Sequence, residues 1–170
     1  VIVPVLALRV ADRQPVDGPE LRLDGAVQPD AHRASVGRAR AARIRHLDET
    51  GVYCHVIAHG GVRNSGDLAA AVCCGADAVV LRDLLAAAEE APAGGWTWAH
   101  RSDHPTLPRS RPEHVATTGT LAEVLHGPAV SADGTTNLVG ALARSMAFAG
   151  HATCKDFQKA DLLVEAGLDR

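Results

Sequence analysis

Between Cys54 and Leu81 the sequence reads strand, turn, helix, strand, and that order constrains the fold more than any other feature. Cys54-His55-Val56-Ile57-Ala58 and Ala76-Asp77-Ala78-Val79-Val80-Leu81 are short apolar runs of the kind that strands covered on both faces carry. His59 to Asn64 reads as a turn between them, and Ser65 to Cys74 as a helix. Ser65 is the expected N-cap, and Asp67 lies in the first turn, where the helix dipole favours an anion. Leu68, Ala71 and Val72 make the buried stripe, and Gly75 stops the helix. Such a crossover is right-handed, so the two strands are predicted to be parallel in an α/β fold. Gly60-Gly61 then stands at the carboxyl end of the first strand, where bare backbone N–H groups can approach an anion closely.

The flanking segments carry local signals of their own. Val1 to Leu8 is a continuous apolar strand that Pro4 pushes towards an edge or a bulge. From 13 to 34, Pro15, Gly18, Pro19, Gly25 and Pro29 among charges predict a flexible insert, with a tiny hairpin at Asp24-Gly25. Ser35 is the expected cap of a helix reaching Thr50, with Val36, Arg40, Ile44 and Leu47 on one face and a solvated Arg38 to Arg45 run outside. Asp83 to Glu90 predicts a short helix, and Thr120-Leu121-Ala122-Glu123 a capping box opening a helix that Gly127-Pro128 stops. Leu138, Leu142, Met146 and Ala149 mark an amphipathic helix ending at Gly150. Thr153 caps a last one, carrying Phe157, Ala160 and Val164 to near Gly167.

Size and charge narrow the class. The chain has 170 residues, 46% of them apolar, at a net charge of −3, which describes one globular domain. A complete (β/α)8 barrel takes about 250 residues and seldom fewer than about 200, so a chain of this length with barrel motifs can hold only part of one. The 17 basic residues are mostly interleaved with acids and only 2 Trp, 1 Tyr and 2 Phe exist to stack bases, so no nucleic-acid partner is expected. No stretch approaches about 18 consecutive apolar residues, and no basic leader precedes the apolar start, so neither a membrane span nor a signal peptide is expected.

Cys54, Cys73, Cys74 and Cys154 include no C-x-x-C pair and read as buried structural thiols in a reduced cytoplasm. His55 and His59 lie roughly 13 Å apart on a strand rising about 3.3 Å per residue, too far to share a metal. His100, His104 and His114 lie in a Pro-rich loop without supporting cysteine or carboxylate spacing, and read as surface histidines. No G-x-S-x-G elbow accompanies the serines.

The identities within the strand–helix–strand unit say more than its pattern. Ala58-His59-Gly60-Gly61-Val62-Arg63-Asn64-Ser65-Gly66-Asp67-Leu68, then Ala71-Val72-Cys73-Cys74-Gly75-Ala76-Asp77-Ala78-Val79-Val80-Leu81, closely resembles the late barrel of the IMP dehydrogenase/GMP reductase family. There the wording is A-D-G-G-I/V, then G-D-I/L, then A-L-A-x-G-A-D-x-V-M-L-G-S. The resemblance continues through Glu90-Ala91-Pro92, the Trp96-Thr97-Trp98 loop, and His104-Pro105-Thr106-Leu107-Pro108-Arg109. It then runs through Gly119-Thr120-Leu121-Ala122-Glu123, Gly127-Pro128 and Asp133-Gly134-Thr135-Thr136-Asn137-Leu138. It covers roughly Leu47 to Gln158 plus the first strand, and is strongest to the short bacterial IMP-dehydrogenase-related branch.

The resemblance implies the C-terminal segment of a TIM (β/α)8 barrel, about three strands plus helices, incomplete on its own. Residues 1–170 would form this single partial domain. Val1 to Leu8 becomes the sixth strand, Ser35 to Thr50 its helix, and the strand–helix–strand unit strand seven, helix seven and strand eight. The implied activity is NAD-dependent oxidation of IMP to XMP in guanine nucleotide biosynthesis, or reductive deamination of GMP, through an activated cysteine thiolate. The family's cysteine loop precedes the strand that opens this sequence, and none of the four cysteines matches its context. The chain alone is therefore expected to be catalytically incompetent.

The implied substrate-binding residues are His59, Gly60, Gly61, Arg82 and Asp83. His59 replaces the carboxylate that accepts the ribose hydroxyls, and can make one neutral hydrogen bond where the carboxylate makes two. Arg82-Asp83 replaces a Gly-Ser phosphate cradle, with Arg82 able to pair bidentately with phosphate and Asp83 opposing it. The partners implied are a purine nucleotide and either a second copy of the chain or a complementary barrel half at the open strand edges. The alternatives are a non-catalytic interaction module docking on a full-length relative, and a truncated remnant.

Overall fold

In the structure, a computed structural model, residues 29–97, 113–129 and 131–161 are described. In chain order they form α1 (Pro29–Thr50), β1 (Ile57–His59), α2 (Ser65–Cys73), β2 (Ala78–Val80), α3 (Asp83–Ala86), β3 (Trp96–Thr97), β4 (Glu113–His114), α4 (Leu121–His126), α5 (Leu138–Phe148) and α6 (Cys154–Phe157). The strand expected at Val1 to Leu8, the Asp24-Gly25 hairpin, and Trp98, His100 and His104 lie outside the described residues, as do Val164 and Gly167.

The β1-α2-β2 unit forms as its apolar runs dictate. β1 and β2 pair in parallel, with Ile57 opposite Ala78 and His59 opposite Val80. The strands are shorter than predicted, yet Val56 still takes part, its carbonyl accepting the Asp77 N–H at 2.7 Å. α2 sits between two apolar clusters, because its nine residues present apolar side chains on more than one face. Leu68, Ala69, Val72 and Cys73 meet Leu84, Val124, Leu138, Met146 and Phe157. Ala71 and Cys74, on another side, meet Val36 and Ala58. Gly75, at φ +113°, ends the helix in a conformation a side chain rarely adopts, and a Cβ there would run into the Arg40 side chain.

Four local expectations are corrected. α1 begins at Pro29 instead of at a Ser35 cap, so the last six residues of the expected insert are helical. Proline suits a first helical turn, where an N–H has no partner, and the Arg- and Ala-rich run behind it favours helix. Among the described side chains of α1, Val36 and Arg43 are buried while Ile44 is 46% exposed, because Asp77 draws Arg43 inward. At α2 the cap is Asn64, not Ser65, its side-chain oxygen accepting the Asp67 N–H at 2.9 Å. α3 closes at Ala86, short of Glu90.

The later elements follow their signals. The capping box at Thr120 forms in both directions, with the Thr120 N–H donating to the Glu123 carboxylate at 2.7 Å and the Glu123 N–H to the Thr120 hydroxyl at 3.3 Å. α4 stops at Gly127, φ +84°. Thr153 caps α6 by accepting the Asp156 N–H at 3.1 Å. The thiols split: Cys73 and Cys74 are buried as expected, Cys54 is half-buried, and Cys154, which opens the four-residue α6, is exposed. Among the described residues no helix is long and apolar enough to cross a membrane.

Candidate functional site

The carboxyl ends of β1 and β2 leave the sheet at one edge, because the strands are parallel and His59 pairs with Val80. Past that edge Gly60 and Gly61 hold φ of +90° and +68°, and a Cβ at Gly60 would meet nothing within 4 Å. The turn thus needs glycine for its backbone conformation, and it stays open above. On the neighbouring strand, Arg82 forms the N-cap position of α3 and Asp83 its exposed first turn. Arg82 and Asp83 share an open pocket of about 280 Å³ with Trp96 and Thr97. Trp96 is 51% exposed and is held by an edge-to-face contact with His114, ring centroids 5.0 Å apart.

The structure therefore brings Arg82 and Asp83 together in one pocket and puts His59, Gly60 and Gly61 on the adjoining strand end, outside that lining. Sequence reasoning missed Trp96 and Thr97 as pocket walls. Their place depends on the β3–β4 pairing of Trp96 with His114, an antiparallel contact with no local signal.

The N-terminus of α2 is closed by the chain itself. The Gly134 carbonyl accepts the Ser65 N–H at 2.8 Å, and Asn64 caps Asp67. Gly134 is required there, since a Cβ would lie 2.8 Å from the Ser65 hydroxyl oxygen. Its loop is braced by Asp133, which accepts from the Ser131 hydroxyl at 2.6 Å and the Thr135 N–H at 2.9 Å. The Gly60-Gly61 turn and Arg82 follow the carboxyl ends of β1 and β2 at this same edge.

At the opposite, amino end of the strands, Asp77 gathers several donors. Its carboxylate accepts the Arg43 guanidinium, the Tyr53 hydroxyl at 2.8 Å and the Val56 N–H at 2.8 Å. Burial alone pushes the Asp77 carboxyl up, but those partners outweigh it and hold the group below the ordinary aspartate value. Burial, then the bond to Asp77, pushes the Tyr53 hydroxyl up. Barrels place stability at this end and chemistry at the other.

Thiol chemistry finds no support at the carboxyl end. Burial raises the Cys73 and Cys74 thiols, and both close α2 beside the amino end. Cys54 precedes β1, and the Cys154 thiol donates to the Met146 sulfur at 3.8 Å. Among the described residues, no three His, Cys, Asp or Glu side chains are grouped to hold a metal ion.

Residues 32–102 match the IMP dehydrogenase / GMP reductase domain. An uncharacterized oxidoreductase of Mycobacterium leprae is 49% identical over 133 residues, 76% of this chain and 36% of that protein. An IMP dehydrogenase/GMP reductase-like protein from Corynebacterium glutamicum superposes at a TM-score of 0.75 with 41% identity, over 79% of this chain and 37% of that one. A GMP reductase from Trypanosoma brucei in complex with guanosine 5'-monophosphate shares the fold at a TM-score of 0.55 and 24% identity, over 76% of this chain and 28% of that one. The chain spans about a third of the length of the curated relatives it matches. The α/β class and the partial barrel are those expected from the sequence.

Proposed function

Because this chain belongs to the IMP dehydrogenase/GMP reductase family, we propose that its strand carboxyl ends bind the phosphate and base of a purine nucleotide, IMP or GMP. The observation that carries this reading is the open edge where the positive-φ Gly60-Gly61 turn and Arg82 emerge from adjacent parallel strands. In this reading the two glycine amides and the Arg82 guanidinium meet phosphate, His59 faces the ribose, and the exposed Trp96 ring offers a wall to the purine. Asp83 weakens the site by repulsion.

The family chemistry at that base is oxidation of IMP to XMP with NAD, or reductive deamination of GMP, through a cysteine thiolate. The pocket of about 280 Å³ does not fit the pyrophosphate of NAD, since it sets the Asp83 carboxylate beside the Arg82 guanidinium, against a group with two negative charges. No step is therefore assigned through it. With two of its four thiols buried and the others away from the carboxyl end, residues 1–170 bind nucleotide and do not turn it over by themselves. Free Cys73 and Cys74 fit a reducing compartment such as the cytoplasm.

Activity and binding are tested separately. Mixed with IMP and NAD, or with GMP and NADPH, the chain is expected to leave the cofactor absorbance unchanged. Turnover that survives replacement of each cysteine in turn overturns this mechanism, and turnover lost in one variant alone identifies a relocated nucleophile. In calorimetry IMP is expected to bind weakly, and Asp83→Ser to tighten it about fivefold by removing a like charge across a solvated gap. No heat at millimolar IMP, for the wild type and for the His59→Asp, Asp83→Ser double variant, sinks the nucleotide reading.

One observation favours a second reading, an interaction module that docks on a full-length barrel relative. β1 and β2 pair only with each other among the described residues, and Val80 is 38% exposed. An open groove of about 580 Å³ lies beside β2, lined by Val79, Leu68, Val72 and Leu142 among others. Parallel strands are ordinarily covered on both faces. Sedimentation at micromolar concentration is expected to show an oligomer, or a complex when a complementary barrel half is added. A single monomer with a sharp cooperative melt, unchanged by that addition, removes this reading.

A further inference from the structure

Asp67 does more than favour a helix dipole. Its side chain is only 9% exposed, and both carboxylate oxygens are engaged. Oδ2 accepts the Arg63 backbone N–H at 3.1 Å and the Arg63 Nε at 3.3 Å, and Oδ1 accepts an Arg33 guanidinium nitrogen of α1 at 3.3 Å. Arg63 stands two residues after Gly61. The Gly60-Gly61 turn is thus anchored on its near side by the His59–Val80 pairing and on its far side by a buried carboxylate. Two consecutive glycines have the widest backbone freedom, so both anchors are needed to keep their amides in one place. Hydrogen bonds to a carboxylate are strong enough to do so.

We propose that Asp67 is the positioning residue of the phosphate-binding turn, and that through Arg33 it makes the shape of that turn depend on the placement of α1. This rests on the nucleotide reading above for its consequence in binding, though not for the geometry of the turn. Asp67 itself touches no substrate. It acts by holding the Arg63 amide, and with it the glycine amides that face the phosphate.

The test compares IMP with inosine, which lacks the phosphate, on the wild-type chain, on Asp67→Asn, and on Arg33→Gln at a half-exposed position that leaves the core intact. Asn keeps the size of Asp and one acceptor oxygen, and loses the charge that binds both arginines. If Asp67 positions the turn, Asp67→Asn lowers the preference for IMP over inosine about tenfold, as loss of a charge-assisted bond warrants, and leaves inosine affinity unchanged. Arg33→Gln shifts the same ratio in the same direction by less. An equal loss for both ligands, or an unchanged ratio, shows a merely structural carboxylate and overturns the proposal.

Amide exchange reads the turn without ligand. Exchange at Arg63 is expected to quicken about tenfold in Asp67→Asn, while amides in the body of α2 stay protected. A wild-type chain with no preference for IMP defeats the nucleotide reading, and the exchange result then decides Asp67 alone. Unchanged exchange at Arg63 removes it as the anchor.

Discussion

Replacing Asp77 by Ala is expected to cost about 3–5 kcal/mol of stability, because it strands a buried cation. The Arg43 side chain is 7% exposed and points from α1 into the start of β2, where the Asp77 carboxylate is its acceptor. The same carboxylate orders the Tyr53 hydroxyl and the Val56 N–H, so one truncation leaves three donors to find new partners. Arg43 also stacks over the Tyr53 ring, 5.0 Å from its centroid, and loses that orientation too. Urea denaturation measures the loss, and a change below about 1 kcal/mol would mean that water reaches Arg43 and solvates it.

The same node predicts a pH signature. Asp77 is held below the ordinary aspartate value, so its contribution is fully present above about pH 4 and is lost as pH falls through its lower folded value. The wild type is therefore expected to lose stability faster than Asp77→Ala in that acid window. Parallel stability curves below pH 4 would contradict the assignment.

Leu138→Ala is expected to cost about 2–5 kcal/mol, through lost transfer energy and the cavity left behind. Leu138 opens α5, is fully buried, and fills the cluster between α2 and α4 with Val124 and Leu68. Its neighbour Val139 is 44% exposed on the same helix, so Val139→Ala should stay within about 0.5 kcal/mol. Similar losses at the two sites would mean that α5 is rotated from the placement described.

Legibility in the sequence follows the distance between interacting residues. Thr120 and Glu123 are three apart, and the capping box they make was readable from residue types alone. Gly75 and Gly127 stop their helices where the glycines stand. Ser65 in place of Asn64 was an error by one residue, since both types cap well and only the turn before α2 decides which side chain reaches the Asp67 N–H. Arg40, Ile44 and Leu47 looked like one face of α1, but the helix turned Arg43 inward, a choice made by a carboxylate 34 residues away. Cys154 is exposed where a buried thiol was expected, since a free cysteine carries no sign of how much of a four-residue helix its neighbours will cover.

By itself the sequence determined the parallel strand–helix–strand unit, the helix stops, and the presence of Gly60-Gly61, Arg82 and Asp83 at strand ends, because periodicity and capping act within a turn or two of chain. The resemblance carried by the same residues set the family and the partial barrel. Only tertiary structure decided that Trp96 and Thr97 wall the pocket, that Gly134 closes the N-terminus of α2, and that Asp67 and Asp77 gather donors from α1. Those contacts join residues far apart in sequence. Burial makes them strong by excluding water from charged groups, and propensity carries no record of which distant partner will arrive.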